Sequence, residues 1–318
     1  MFLDYFKITG IAVAQIFLLA AIGYFLVKKN LLDEAGLRVL SRLVIEVTLP
    51  VLIFCQLVKD FKFSLYPNWW IFPLLSVALT IVGLVCGALF LGFIHGNQKK
   101  MQFLSLITFQ NSGYLPLVLV NALLPQDKSA TMFIYIFLFL LGFNLLMWSV
   151  GVYMLTFSAM KKFALGSFFS PPVIAVIFSL VFIFFGLERF VPSSLLKPLN
   201  MVGDCTLPLA LFIVGGSLGQ IKLKAVDKKA MVLVVLAKLI ILPVIGLLSV
   251  LKLKLPQLPG LLIVMQLAMP PATSLALITT HYKKEDLLIS QGVFFGHILS
   301  ILSIPLFLSL YFTLIVIK

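Results

Sequence analysis

Residues Glu46–Phe54 read EVTLPVLIF, and 158 residues later Asp204–Phe212 read DCTLPLALF. Each stretch has an acid four residues before a proline, the triplet Thr-Leu-Pro, and a phenylalanine four residues after the proline. A triplet match is weak in a leucine-rich chain; the offset is the stronger observation. Charges, prolines and glycines divide the chain into ten apolar spans, at about 8–27, 36–58, 69–94, 101–124, 131–158, 171–187, 194–218, 229–251, 260–280 and 287–317. Adding 158 carries the first span onto the sixth, the third onto the eighth, the fourth onto the ninth and the fifth onto the tenth. The loop Pro125-Gln126-Asp127-Lys128 falls on Lys283-Lys284-Glu285-Asp286. The chain therefore reads as two five-helix units, 1–158 and 171–318, joined by a linker at 159–170. Five is odd, so the second unit enters the membrane from the opposite face. Such inverted repeats are typical of secondary transporters, because they supply two related conformations, one open to each side.

Composition agrees with a polytopic, all-α membrane protein. Hydrophobic residues make up 62% and charged residues 11% of the chain, with a mean hydropathy of +1.16, far above soluble domains. The loops are too short for a soluble domain. The net charge of +13 sits as lysines in those loops, which reads as a topology signal and not as a nucleic-acid-binding face. Fourteen basic residues fall on one side and nine on the other, with Lys238 left inside the eighth span. The positive-inside rule then makes the linker cytoplasmic and puts both termini outside the cell membrane. The first apolar stretch is long enough to span, and Asp4 and Lys7 before it cancel, so it reads as a retained helix and not a signal peptide. Cys55, Cys86 and Cys205 lie inside apolar segments, giving neither a disulfide framework nor a metal cluster.

Two spans carry breakers near their middles. The fourth contains Gln110-Asn111-Ser112-Gly113-Tyr114-Leu115-Pro116, and the ninth contains Met269-Pro270-Pro271-Ala272-Thr273-Ser274. Under the offset, Asn111-Ser112-Gly113 falls on Met269-Pro270-Pro271. Consecutive prolines cannot continue a helix, and Asn-Ser-Gly offers local side-chain bonds and a permissive glycine. Unwound backbone within a bilayer is tolerated only inside protein or beside a wet cavity. Matched breaks in the two halves point to a substrate site, and the helix N-termini that follow favour an anion such as a carboxylate. The expected substrate-binding residues are Asn111, Ser112, Gly113 and Tyr114, with Pro270, Pro271, Ala272, Thr273 and Ser274. Gln110 and Gln266 are lining candidates.

The opening motifs add a second feature. Pro50 and Pro208 remove the N–H groups that would bond the carbonyls of Glu46 and Asp204. An acid at this depth costs about 2.5–3.5 kcal/mol on insertion scales, so each should face protein or water. Two readings stand side by side: a proton or Na⁺ coupling site, or an acid that fixes a kinked helix against Arg42 or Lys238. Lys238 itself reads as a snorkelling lysine, and His297 and Asn144 as packing residues.

The ten-span plan, Thr-Leu-Pro in the second span, Asn-Ser-Gly in the fourth and Ala-Met-Pro-Pro-Ala-Thr at Ala268–Thr273 together resemble the auxin efflux carrier family, over essentially the whole chain. That family includes the plant PIN carriers and bacterial permeases for malate, malonate and related acids. The resemblance implies the fold shared with bile-acid/sodium symporters. Spans 1, 2, 6 and 7 would form a scaffold, spans 3–5 and 8–10 a mobile core, and broken helices 4 and 9 would cross beside the substrate. It also implies elevator-like motion, commonly within a homodimer. Plant carriers have Asn-Pro-type crossovers in both halves, whereas this chain has Asn-Ser-Gly and Met-Pro-Pro, which argues against auxin and for a bacterial-type organic-acid permease.

The expected function is secondary transport of a small mono- or dicarboxylate, with no cofactor beyond H⁺ or Na⁺ as a coupling ion and no enzymatic activity. An inside-negative potential already drives an anion outward by about 2.3 kcal/mol per charge at about 100 mV, so export needs no coupling ion and uptake does. Two other classes compete: a non-transporting sensor on the same fold, and an intramembrane aspartyl protease using Gly203-Asp204 with Glu46.

Overall fold

The computed structural model describes residues 1–156, 170–221, 226–281 and 287–316. Most of the expected linker at 159–170 and the whole Lys283–Asp286 loop lie outside them. The described chain is helical. Helix α1 is Phe2–Lys28, α2 covers residues 34–60, α3 is Ile71–Ala88, α4 is Asn97–Thr108 and α5 is Tyr114–Leu123. Then follow α6, Gln126–Thr156; α7, Pro171–Phe184; α8, Ser193–Gln220; and α9, Lys228–Leu253. The last three are α10, Gln257–Ala268; α11, Ser274–His281; and α12, Leu287–Val316. Six of these, α1, α3, α6, α8, α9 and α12, are long and apolar enough to cross a membrane.

The Thr-Leu-Pro motifs distort both helices that carry them. In α2 the N–H of Leu49 reaches back five residues to Val44 O, forming a wide turn over Val44–Thr48 just before Pro50. A proline removes one rung of the ladder, and a wide turn is a common way to absorb the loss. Helix α9 does the same before Pro243, with Leu242 N bonded to Ala237 O. In α8 the ladder is interrupted at Cys205, between Ser193–Asp204 and Thr206–Gln220. The third apolar span is shorter than its hydropathy predicts. Its helix stops at Ala88, and a single tight turn at Leu91–Phe93 leads to Gly96, whose φ of +88° suits glycine alone.

Apolar surface drives helices into a bilayer but does not choose their partners there, so close packing of small residues does. Helices α1 and α8 meet through Gly23 and Gly215. A Cβ on Gly23 would lie 2.1 Å from Phe212 O, and one on Gly215 would fall inside Ala20 O. Gly203 similarly abuts the Leu52 backbone of α2, at 3.0 Å from an added Cβ to Leu52 Cα. Helices α3, α4, α6, α9, α10 and α12 contribute to a continuous core that includes Phe103, Phe137, Phe139 and Tyr311, all fully buried. Leu18, Val85, Phe184 and Leu302 point outward and are exposed, as lipid-facing residues are. Phe61, Phe63, Tyr66 and Trp69 form an aromatic cluster between α2 and α3, the composition of a membrane–water boundary.

At the opposite helix ends, Asp227 caps α9 by accepting from Ala230 N at 3.2 Å and pairs with Lys99 Nζ of α4, also at 3.2 Å. The Ala230 N–H, with Lys99 behind it, holds the Asp227 carboxyl below its ordinary range.

Candidate functional site

Helical bonding stops after Thr108 and resumes at Tyr114; it stops again after Ala268 and resumes at Ser274. The two intervening segments run antiparallel and are bonded to each other. Asn111 N donates to Pro270 O at 2.9 Å, and Ala272 N donates to Phe109 O at 3.0 Å, so Gln110 and Pro271 face each other as one antiparallel bridge. Each segment thereby satisfies backbone groups that the other's missing helix leaves free, as burial demands. Gln266 Nε2, in the last turn of α10, adds a bond to Ser112 O at 3.1 Å.

All nine residues read from the sequence as substrate contacts lie in these segments or in the first residues after them. Asn111, Ser112, Pro270, Pro271, Ala272 and Thr273 are buried, and Gly113, Tyr114 and Ser274 are half-buried. Gly113 precedes α5 with no side-chain cap, and Pro116 in its first turn has no N–H to contribute. Four side-chain atoms around the bridge are buried without a hydrogen-bond partner among the described residues: Thr108 Oγ1, Gln110 Nε2, Ser112 Oγ and Gln266 Oε1. Such atoms are uncommon in folded proteins, since each costs about 1–3 kcal/mol.

Two further side chains reach this region. Lys238, fully buried in the wide turn of α9, donates from Nζ to Ile107 O at 2.7 Å. Ile107 is in the last turn of α4, where the helix dipole presents partial negative charge and a cation is favoured. Lys238 therefore does not snorkel, and it forms no ion pair with Glu46 or Asp204. His297 of α12, also fully buried, lies 3.4 Å from Asn111 Nδ2 through its Nε2. Its neighbour Gly296 fits against the second segment, where an added Cβ would be 2.5 Å from Pro271 Cδ. Sequence reasoning set both residues aside; the available signal was a lone ionisable side chain within each apolar span.

Glu46 and Asp204 are not at this node. Glu46 is on the surface of α2, paired with Arg42 Nε at 3.1 Å, and Asp204 is exposed where α8 is interrupted. The Arg42 partnership is the kink-side pairing weighed from sequence. Gly203, next to Asp204, sits against Leu52, six residues along α2 from Glu46, or about 9 Å at helical rise. The motif threonines between each acid and its proline, Thr48 and Thr206, are buried, and their hydroxyls have no partner among the described residues. Two small cavities, of about 80 and 130 Å³, lie beside the Lys99–Asp227 pair and share no lining residue with the bonded segments.

Comparison with known proteins agrees with a multi-pass membrane chain. The model of a family described as membrane transport protein matches residues 9–164 and 155–308. A transporter of Methanocaldococcus jannaschii, described as uncharacterized, is 24% identical over 218 residues, covering 66% of this chain and 68% of that protein. The family match takes in both bonded segments and every candidate residue around them. The chain belongs to the membrane transport protein family, the auxin efflux carrier-like group that its sequence resembles.

Proposed function

We propose that this protein is a secondary transporter for a small organic anion, a mono- or dicarboxylate, with its substrate site at the bonded segments 109–113 and 269–273. The observation that carries the proposal is the pair of buried donors without a partner among the described residues, Gln110 Nε2 and the Ser112 hydroxyl, beside the bridge. A purely structural crossing would be expected to satisfy them, because each costs stability; a crossing that receives a polar solute leaves them for it. Gln110 Nε2 and the Ser112 hydroxyl donate to a carboxylate, as do N–H groups at the starts of α5 and α11.

In this reading α4–α5 and α10–α11 are the broken fourth and ninth spans of a ten-span, 5+5 inverted repeat, with units at 1–158 and 171–318. Spans three to five and eight to ten move as an elevator past a scaffold of spans one, two, six and seven. The close glycine contact of α1 with α8 suits a rigid scaffold. Both termini lie outside the cytoplasm, two copies associate through the scaffold, and Glu46 and Asp204 flank the path as candidate coupling acids.

Purified protein in proteoliposomes should accumulate radiolabelled malonate, malate or an aromatic acid, saturably, under a pH gradient, a Na⁺ gradient or a K⁺/valinomycin potential. The Asn111→Ala, Pro271→Ala double variant should abolish that flux. Binding of an acid without flux under any gradient would replace the transporter with the sensor.

A further inference from the structure

His297 is a buried titratable side chain with a directional bond to the candidate substrate site. Its Nδ1 lies 2.8 Å from Val293 O. A carbonyl oxygen only accepts, so Nδ1 carries a proton, and the neutral ring keeps its lone pair at Nε2. That lone pair faces Asn111 Nδ2 at 3.4 Å, so Asn111 spends an amide N–H on the histidine and has its Oδ1 left for other partners. In that orientation at most one Asn111 N–H remains for an anion, beside an oxygen that would repel it.

We propose that His297 is a positioning residue that couples one proton to one anion through the orientation of the Asn111 amide; this rests on the transporter reading above. When a proton from the aqueous side binds Nε2, that atom becomes a donor and can no longer accept from Nδ2. The Asn111 amide turns over, Oδ1 accepts from Nε2–H, and Nδ2 offers both its hydrogens to the anion. The carboxylate in turn supplies the counter-charge that a buried imidazolium requires. Proton and anion therefore enter together, and release of the anion on the far side returns the proton and the original amide orientation.

The surroundings favour this coupling. Of the helices packed on α12, α9 brings one ionisable side chain to mid-helix depth, Lys238, held by Ile107 O. The other ionisable residues of α1, α4, α9 and α11 sit within two turns of the helix ends, and α10 has none. On α12 itself, Tyr311 is bonded to Gln257 O. With no carboxylate beside it among the described residues and the Lys238 amine also in the interior, an empty site disfavours the imidazolium, so protonation waits for the anion.

The test is calorimetric binding of malonate, malate and an aromatic acid to the purified protein, in buffers of unlike ionisation enthalpy. Wild type should take up one proton per anion, and its apparent affinity should fall about tenfold per pH unit between about pH 6.5 and 8. His297→Gln keeps a polar partner that turns freely and carries no charge. It should bind with no proton uptake and a flat pH profile, and it should retain anion exchange in proteoliposomes while losing accumulation under a pH gradient. His297→Asn is measured the same way should the glutamine variant lack a sharp thermal transition. Proton uptake that persists in the variants, or binding and flux in wild type without it, overturns this inference alone. Failure of every acid to bind overturns it together with the proposed function.

Discussion

At the scale of single residues, unpartnered atoms separate function from packing. Gln110 Nε2 is buried with no partner among the described residues, so its amide costs stability in the empty protein. Gln110→Leu should therefore leave the midpoint of thermal unfolding unchanged or raise it, while cutting anion flux by at least about tenfold, the loss of roughly one charge-assisted hydrogen bond. A stabilised variant with normal flux would mean the amide serves no ligand. Such atoms were only partly legible in the sequence. Breakers at Asn111–Gly113 and Pro270–Pro271 mark where helices stop, because a missing N–H or a permissive backbone is a local property. Lys238 was misread as snorkelling, and the contact of His297 with Asn111 was not foreseen, because both depend on which helix face a residue occupies and what lies opposite. The chain is apolar all round, and periodicity then gives no face.

At the scale of elements, the α1–α8 contact has the closest glycine approach among the described residues, and nothing but glycine fits at its centre. Gly215→Ala would drive a Cβ into Ala20 O, and the helices must separate to admit it. Overpacking of this kind costs about 1–3 kcal/mol, so the variant should unfold at a lower temperature while the pH dependence of anion binding stays as in wild type. Equal stability would show that α1 and α8 are not rigidly joined. The Thr-Leu-Pro motifs illustrate how far an element can be read in advance. A proline guarantees a lost hydrogen bond, and both helices do deviate there. The form of the deviation, a wide turn over Val44–Thr48 in one and an interruption at Cys205 in the other, depends on packing that the motif does not encode. The acids beside them drew attention as charges at membrane depth that should face protein or water; the structure pairs Glu46 with Arg42, one of the pairings weighed from sequence, and leaves Asp204 exposed where α8 is interrupted.

At the scale of the whole molecule, the central claim is that the bonded segments form one site reached from each side of the membrane in turn. That each half carries a break was visible in the sequence, because helix breakers recur near one offset, although the unwound segments themselves begin 160 residues apart, at 109 and 269, and not 158. The hydrogen bonds between them were not, since those depend on how the helices pack. Ser112 is 2% exposed, so an alternating carrier must uncover it first to one side and then to the other. The measurement is labelling of Ser112→Cys by a membrane-impermeant thiol reagent, in a protein whose Cys55, Cys86 and Cys205 have been replaced. Lys29→Cys and Lys128→Cys in the same background mark the two faces, proposed above as cytoplasmic and outer. The account predicts that Ser112→Cys reacts from both sides in right-side-out and inside-out vesicles, and that a transported acid slows the reaction from each. Reaction from one side only, or none with the transported acid still moving, would contradict it.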